Sequence, residues 1–120
     1  MKEKSTNVKY KDLIKYICSS LDNKKGEDVL VLDIQSLSSI ADYFIIASAN
    51  SERAVKSLAE NLVREVKKKF KLKVKIDGLT DNRWIVIDIG DLIVHIFHTE
   101  TREKYDLESL WYEAKKVSGI

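Results

Sequence analysis

The sequence predicts a single α/β domain of five strands and three helices, and three observations carry that prediction. Apolar residues recur at three- and four-residue intervals over two long stretches, 8–23 and 51–70, the spacing that gathers them on one helical face. Two near-continuous apolar runs, 28–35 (DVLVLDIQ) and 42–49 (DYFIIASA), read as central strands covered on both faces. Two more, Trp84–Ile89 and Leu92–Phe97, flank Gly90-Asp91, a two-residue connection suited to a tight hairpin.

In chain order, residues 1–7 are expected to be a disordered arm and residues 8–117 the domain. The first stripe comprises Tyr10, Leu13, Ile14, Ile17, Cys18 and Leu21, and Lys25-Gly26 ends the helix. Cys18 is the only cysteine, so it forms no intramolecular disulfide and no cysteine-based zinc cluster, and on this face it reads as a small buried hydrophobe. Between the first two strands SLSSIA is a loop; Ser38, Ser39 and Asp42 lack a neighbouring histidine and are expected to cap turn backbone rather than to form a catalytic triad. Asn50 or Ser51 can N-cap the second helix, whose face is Val55, Leu58, Ala59, Leu62, Val63, Val66 and Phe70.

That helix runs into Lys67, Lys68 and Lys69 and then KLKVKI, residues 71–76, in which lysines alternate with apolar residues as in a half-buried edge strand. The lysines protect such an edge from unwanted pairing; they also form an electropositive patch able to meet a phosphate-rich surface. The two accounts are compatible. Gly78, after Asp77, is expected in a backbone conformation closed to other residues, within an exposed loop.

A two-residue loop fixes the hairpin register. Ile89 then faces Leu92, Ile87 faces Val94 and Ile85 faces Ile96, so one side is wholly aliphatic and belongs to the core. The other side pairs Asp88 with Ile93, Val86 with His95 and Trp84 with Phe97. Two readings of this mixed side stay open: a covered face with His95 bonded to Asp88, or an aromatic patch left open for a partner protein. After Phe97, residues 98–104 are polar, and Asp106 is expected to cap a last helix whose face is Leu107, Leu110, Trp111 and Ala114.

At 120 residues the chain suits one domain, burying about two thirds of its unfolded surface. Its 44% hydrophobic and 33% charged residues are those of a globular protein, and a net charge of +2 demands no polyanionic partner. No signal-like run and no stretch of ~20 apolar residues occurs, so a cytoplasmic protein outside the membrane is expected. Neither G-x-x-x-x-G-K-[ST] nor G-x-G-x-x-G is present, and His95 and His98 point to opposite faces of one strand. Hence no cofactor, no metal and no catalysis is expected. The alternatives are a metal-dependent nucleotidyltransferase-like enzyme using Asp33, Asp42 or Asp88, and a general RNA-binding module led by residues 67–75.

One segment carries a family likeness. W-x-x-x-D-x-G-D-x-x-x-H at Trp84, Asp88, Gly90, Asp91 and His95, followed by R-x-x-Y-x-L-E-x-L-W at Arg102, Tyr105, Leu107, Glu108, Leu110 and Trp111, resembles the Iojap-related ribosomal silencing factors. D-Y-F-I-I-A-S-x-x-S-x-R at 42–53 and Asp77-Gly78 also fit, although Ala54 and Asp77 stand where the family often has glutamine and glutamate. The resemblance implies a mixed sheet of nucleotidyltransferase-like topology without the enzyme's activity. It further implies a repressor that binds the large ribosomal subunit through its fourteenth ribosomal protein and blocks small-subunit joining under nutrient limitation, in many members as a homodimer. On this chain the ribosomal-protein contact would fall to Trp84, Asp88, Ile93, His95 and Phe97, with Gly90, Asp91, Arg102, Tyr105, Leu107, Glu108 and Trp111 in support. Lys67, Lys68 and Lys69 would add a peripheral contact to ribosomal RNA.

Overall fold

Residues 2–78, 80–110 and 115–116 are described by the structure, a computed structural model. Helix α1 (Lys2–Asn23) begins well before the apolar stripe, because its first turns carry polar residues that no periodicity marks. Strands β1 (Glu27–Asp33) and β2 (Tyr43–Ala49) follow, then helix α2 (Glu52–Phe70), the short strand β3 (Lys75–Asp77), and the hairpin of β4 (Trp84–Asp88) and β5 (Leu92–His98). Helices α3 (Thr99–Tyr105) and α4 (Leu107–Leu110) and a two-residue strand β6 (Lys115–Lys116) complete the described chain.

The strands form one mixed sheet in the order β3-β4-β5-β2-β1-β6. Among the described strands only β2 and β5 run parallel; the other neighbours are antiparallel. The five expected strands are all present, and β6 adds a two-residue edge beside Leu32 and Asp33. The hairpin has the register deduced from its two-residue turn, Trp84 opposite Phe97 through Asp88 opposite Ile93. Gly90 supplies the positive φ, +79°, that the turn requires.

Helices α1 and α2 cover the aliphatic side, where Leu13, Ile17, Leu58 and Leu62 pack on Ile85, Ile87, Val94 and Ile96. Ser51 caps α2 by accepting a hydrogen bond from the Ala54 N–H at 3.1 Å. Lys71, at φ +55°, ends it. That left-handed residue turns the chain, so β3 begins at Lys75, four residues later than alternation alone predicts. Strand β2 is buried almost throughout, whereas β1 is covered only toward its end, since a register irregularity lies between Glu27 and Leu30.

Two further differences come from residues without a hydrophobic signal. The polar stretch 98–104 enters helix α3, capped by His98, whose Nδ1 accepts from the Glu100 N–H at 3.2 Å. Asp106 is the left-handed hinge (φ +47°) between α3 and α4, and its carboxylate accepts from the Ser109 hydroxyl at 2.6 Å. Of the last predicted apolar face Leu107 is buried; Trp111 and Ala114 lie outside the described residues.

Candidate functional site

The mixed side of the hairpin lies opposite α1 and α2, and a second, smaller core forms on it. Leu32, Phe44, Ile46 and Phe97 pack there with Ile34, Ala41 and Leu107, while Leu30, Trp84 and Ile93 are only partly covered. The face is neither sealed nor open. Its Phe97 end lies in the core beside Leu107, and its Trp84, Val86 and Ile93 positions are half-buried.

Trp84 sits at the boundary. Its ring stacks on Phe97 beneath it, with centroids 4.9 Å apart and planes at 30°, and meets Tyr105 of α3 at 5.0 Å. Tyr105 is 51% exposed, one of three large apolar or aromatic side chains left so open among the described residues, with Leu37 and Ile40. Trp84 and Tyr105 also line a cleft of about 670 Å³ with Thr80, Asp81, Arg83 and Lys104. An aromatic pair with one rim in water and a polar edge is suited to apolar contact with a protein surface.

His95 lies below, 6% exposed. Its Nδ1 accepts from the Trp84 indole Nε1–H at 3.1 Å, and Phe44 meets its ring edge-on at 4.6 Å. Asp88 is not its partner. That carboxylate accepts from the Gly90 N–H at 2.9 Å and so belongs to the hairpin turn. Because Nδ1 is an acceptor, the proton of neutral His95 resides on Nε2, a buried atom with no hydrogen-bond partner among the described residues. Burial holds its pKa down at about 4, since a charged imidazolium is penalised away from water.

The supporting residues divide by task. Arg102 reaches Glu108 through Nε and Nη2, at 3.2 and 3.0 Å, and the Ser48 hydroxyl through Nη1 at 3.1 Å. It thereby ties α3 and α4 to β2. Asp91 anchors the turn through its backbone: the carbonyl accepts from the Asp42 and Tyr43 N–H groups, and its own N–H donates to the Tyr10 hydroxyl at 3.3 Å. Tyr10 and Ser48 were not expected at the site; stripe position marked Tyr10 only as core, and no sequence signal joins residues 81 apart.

Lys67, Lys68 and Lys69 occupy the last turn of α2, and all three are exposed, as are Lys71, Lys73 and Lys75. Lys75 stands opposite Asp88, so the lysine stripe borders the mixed face. Of the carboxylates weighed for metal chemistry, Asp33 accepts from the Gln35 backbone and side-chain amides and Asp88 serves the turn. Among the described residues no three His, Cys, Asp or Glu side chains gather as a metal-holding set. Cys18 sits on α1, its thiol pushed up to about 11 by burial, which suits packing rather than nucleophilic attack. No described helix is long and apolar enough to cross a membrane.

Comparison with known proteins bears on this arrangement as a whole. The family model described as "Ribosomal silencing factor during starvation" matches residues 7–119. The chain is 36% identical over 104 residues to the Ribosomal silencing factor RsfS of Bacillus subtilis, covering 87% of this chain and 88% of that protein. It is 32% identical over 101 residues to a mouse protein named "Mitochondrial assembly of ribosomal large subunit protein 1", covering 82% of this chain and 44% of that one. A crystal structure of a Chromobacterium violaceum protein matches with a TM-score of 0.79 at 31% identity, covering 92% of each chain.

Proposed function

Because the chain belongs to the ribosomal silencing factor family, we propose that it binds the large ribosomal subunit and represses translation by blocking the small subunit from joining. The contact is made with the fourteenth protein of the large subunit, and Trp84 is its apolar anchor. The observation that carries this reading is the partly buried Trp84 indole, backed by Phe97 and flanked by Tyr105. Half-buried Ile93 extends the apolar surface. Phe97 and His95 act from beneath, being covered, and Asp88 acts through the turn it caps.

Occlusion needs binding energy and bulk, not turnover, so no catalytic group is assigned. The family's description by starvation supports repression when nutrients are short, and the mouse relative's name supports the large subunit as the body bound. The stripe at Lys67, Lys68 and Lys69 makes a peripheral contact to ribosomal RNA phosphates, adding on-rate without sequence readout.

Co-sedimentation with purified large subunits tests the anchor. Trp84→Ala is expected to lose about 2 kcal/mol or more of binding, the usual cost of truncating an aromatic at the centre of an interface. A variant that migrates with the subunit as the parent protein does would remove Trp84 from that role.

A further inference from the structure

His95 presents a physical problem of its own. Its neighbours along the same side of β5, Ile93 and Phe97, are apolar, and an apolar side chain at position 95 would bury no imidazole nitrogen. Instead the chain buries an imidazole whose Nε2 has no partner among the described residues, an arrangement that destabilises a core. Its other nitrogen is fully used. Nδ1 receives the Nε1–H of Trp84 at 3.1 Å, and Phe44 packs edge-on against the imidazole. At 6% exposure His95 meets no partner itself.

We propose that His95 is a positioning residue for the docking surface: its Nδ1 acceptor, with Phe97 stacked beneath and Tyr105 alongside, fixes the orientation in which the Trp84 indole meets the partner. Stacking alone leaves a ring free to slide and rotate in its plane, because dispersion is weakly directional. One hydrogen bond at the indole edge removes that freedom before binding, so less ordering is left to be done at the interface. Only the neutral Nε2-protonated tautomer can serve, since an imidazolium would turn an N–H toward the indole N–H. The inference rests on the reading of Trp84 as anchor.

The test is a double-mutant cycle with two readouts, affinity for purified large subunits and the indole N–H resonance of Trp84. That resonance is told from the signal of the other tryptophan by its loss in Trp84→Phe. His95→Phe keeps a ring but removes the acceptor. It is expected to weaken subunit binding roughly tenfold, and to shift the Trp84 indole signal and speed its exchange with solvent. In a Trp84→Phe background, where there is no N–H to hold, the same change is expected to alter binding by less than about twofold.

An equal loss in both backgrounds would mean that His95 supports the fold in general, and would overturn the inference; so would an indole signal left unmoved by His95→Phe. Should His95→Phe fail to fold, His95→Asn replaces it, offering an amide oxygen near the Nδ1 position, and must retain both the indole signal and the affinity. Losing both while folded overturns the role. Unchanged binding by Trp84→Ala would instead sink the anchor reading and the positioning role with it, whatever the indole signal reports, so the two failures are distinguishable.

Discussion

Trp84 gains its character from what lies beneath and beside it rather than from its own exposure. A ring held by Phe97, Tyr105 and the His95 acceptor is a rigid amphipathic contact, whereas the same ring in a loop would lose orientation on binding. His95 also gives the fold a pH dependence. Its folded pKa, about 4, lies below the ordinary imidazole value, so between the two the unfolded chain binds a proton that the folded chain does not. Stability from this residue is therefore full above about pH 6.5 and falls as pH drops toward 4, by about 3 kcal/mol in all. Urea titrations at pH 7 and pH 4.5 check this: the midpoint of the parent protein should fall more than that of His95→Phe. Gly78 is a second residue with a definite role. At φ +96° any Cβ would run into the Trp84 carbonyl oxygen, so Gly78→Ala should lose at least about 2 kcal/mol of stability by denaturant unfolding.

Among the elements, α3 and α4 decide how much of the mixed face remains open. They are short, and α3 buries little apolar surface of its own; Thr101 is its buried residue. Arg102 compensates by joining Glu108 across the hinge at Asp106 and Ser48 on β2. At 11% side-chain exposure the guanidinium is mostly covered, while Glu108 is 34% exposed, so screening reduces but does not remove the pair's worth. Arg102→Met is expected to cost about 2 kcal/mol, because Glu108 and the Ser48 hydroxyl lose their donor. Amide hydrogen exchange should then quicken across residues 99–110 and stay slow in β2 and β5. Movement of α3 would carry Tyr105 away from Trp84, so subunit binding should weaken in the same variant.

Across the whole molecule, the two sides of the sheet have different tasks. α1 and α2 close one side into a continuous aliphatic core, which stabilises the domain. The other side carries a smaller core and a half-covered aromatic rim, with exposed lysines along the border at β3. A net charge of +2 gives little long-range attraction, so the proposed contact to ribosomal RNA rests on local clustering. Reversing Lys67, Lys68 and Lys69 to glutamate should lower affinity for large subunits and flatten its dependence on salt, measured by sedimentation from low to physiological salt. An unchanged salt slope would assign these lysines to edge protection and the helix C-terminus alone.

By itself the sequence determined the elements whose signal is local and periodic. These include the stripes of α1 and α2, the buried strand β2, and the hairpin, where Gly90-Asp91 leaves one register and so sorts Ile85, Ile87 and Ile89 from Trp84, Val86 and Asp88. It also carried the motif that points to the family, since that likeness resides in residue identities and spacing. Helix α3 escaped because TETREKY has no apolar period, and β3 began late because Lys71 takes a left-handed turn that no lysine announces. Only the tertiary structure decided which nitrogen of His95 is occupied, that Asp88 serves the turn instead, and that Phe97 is covered while Trp84 is only partly buried. Those outcomes depend on what α3, α4 and the chain around Ile34 and Ala41 lay over the sheet. Burial and pairing are properties of the neighbours a fold brings together, and spacing along one strand fixes a side chain's direction but not what it meets.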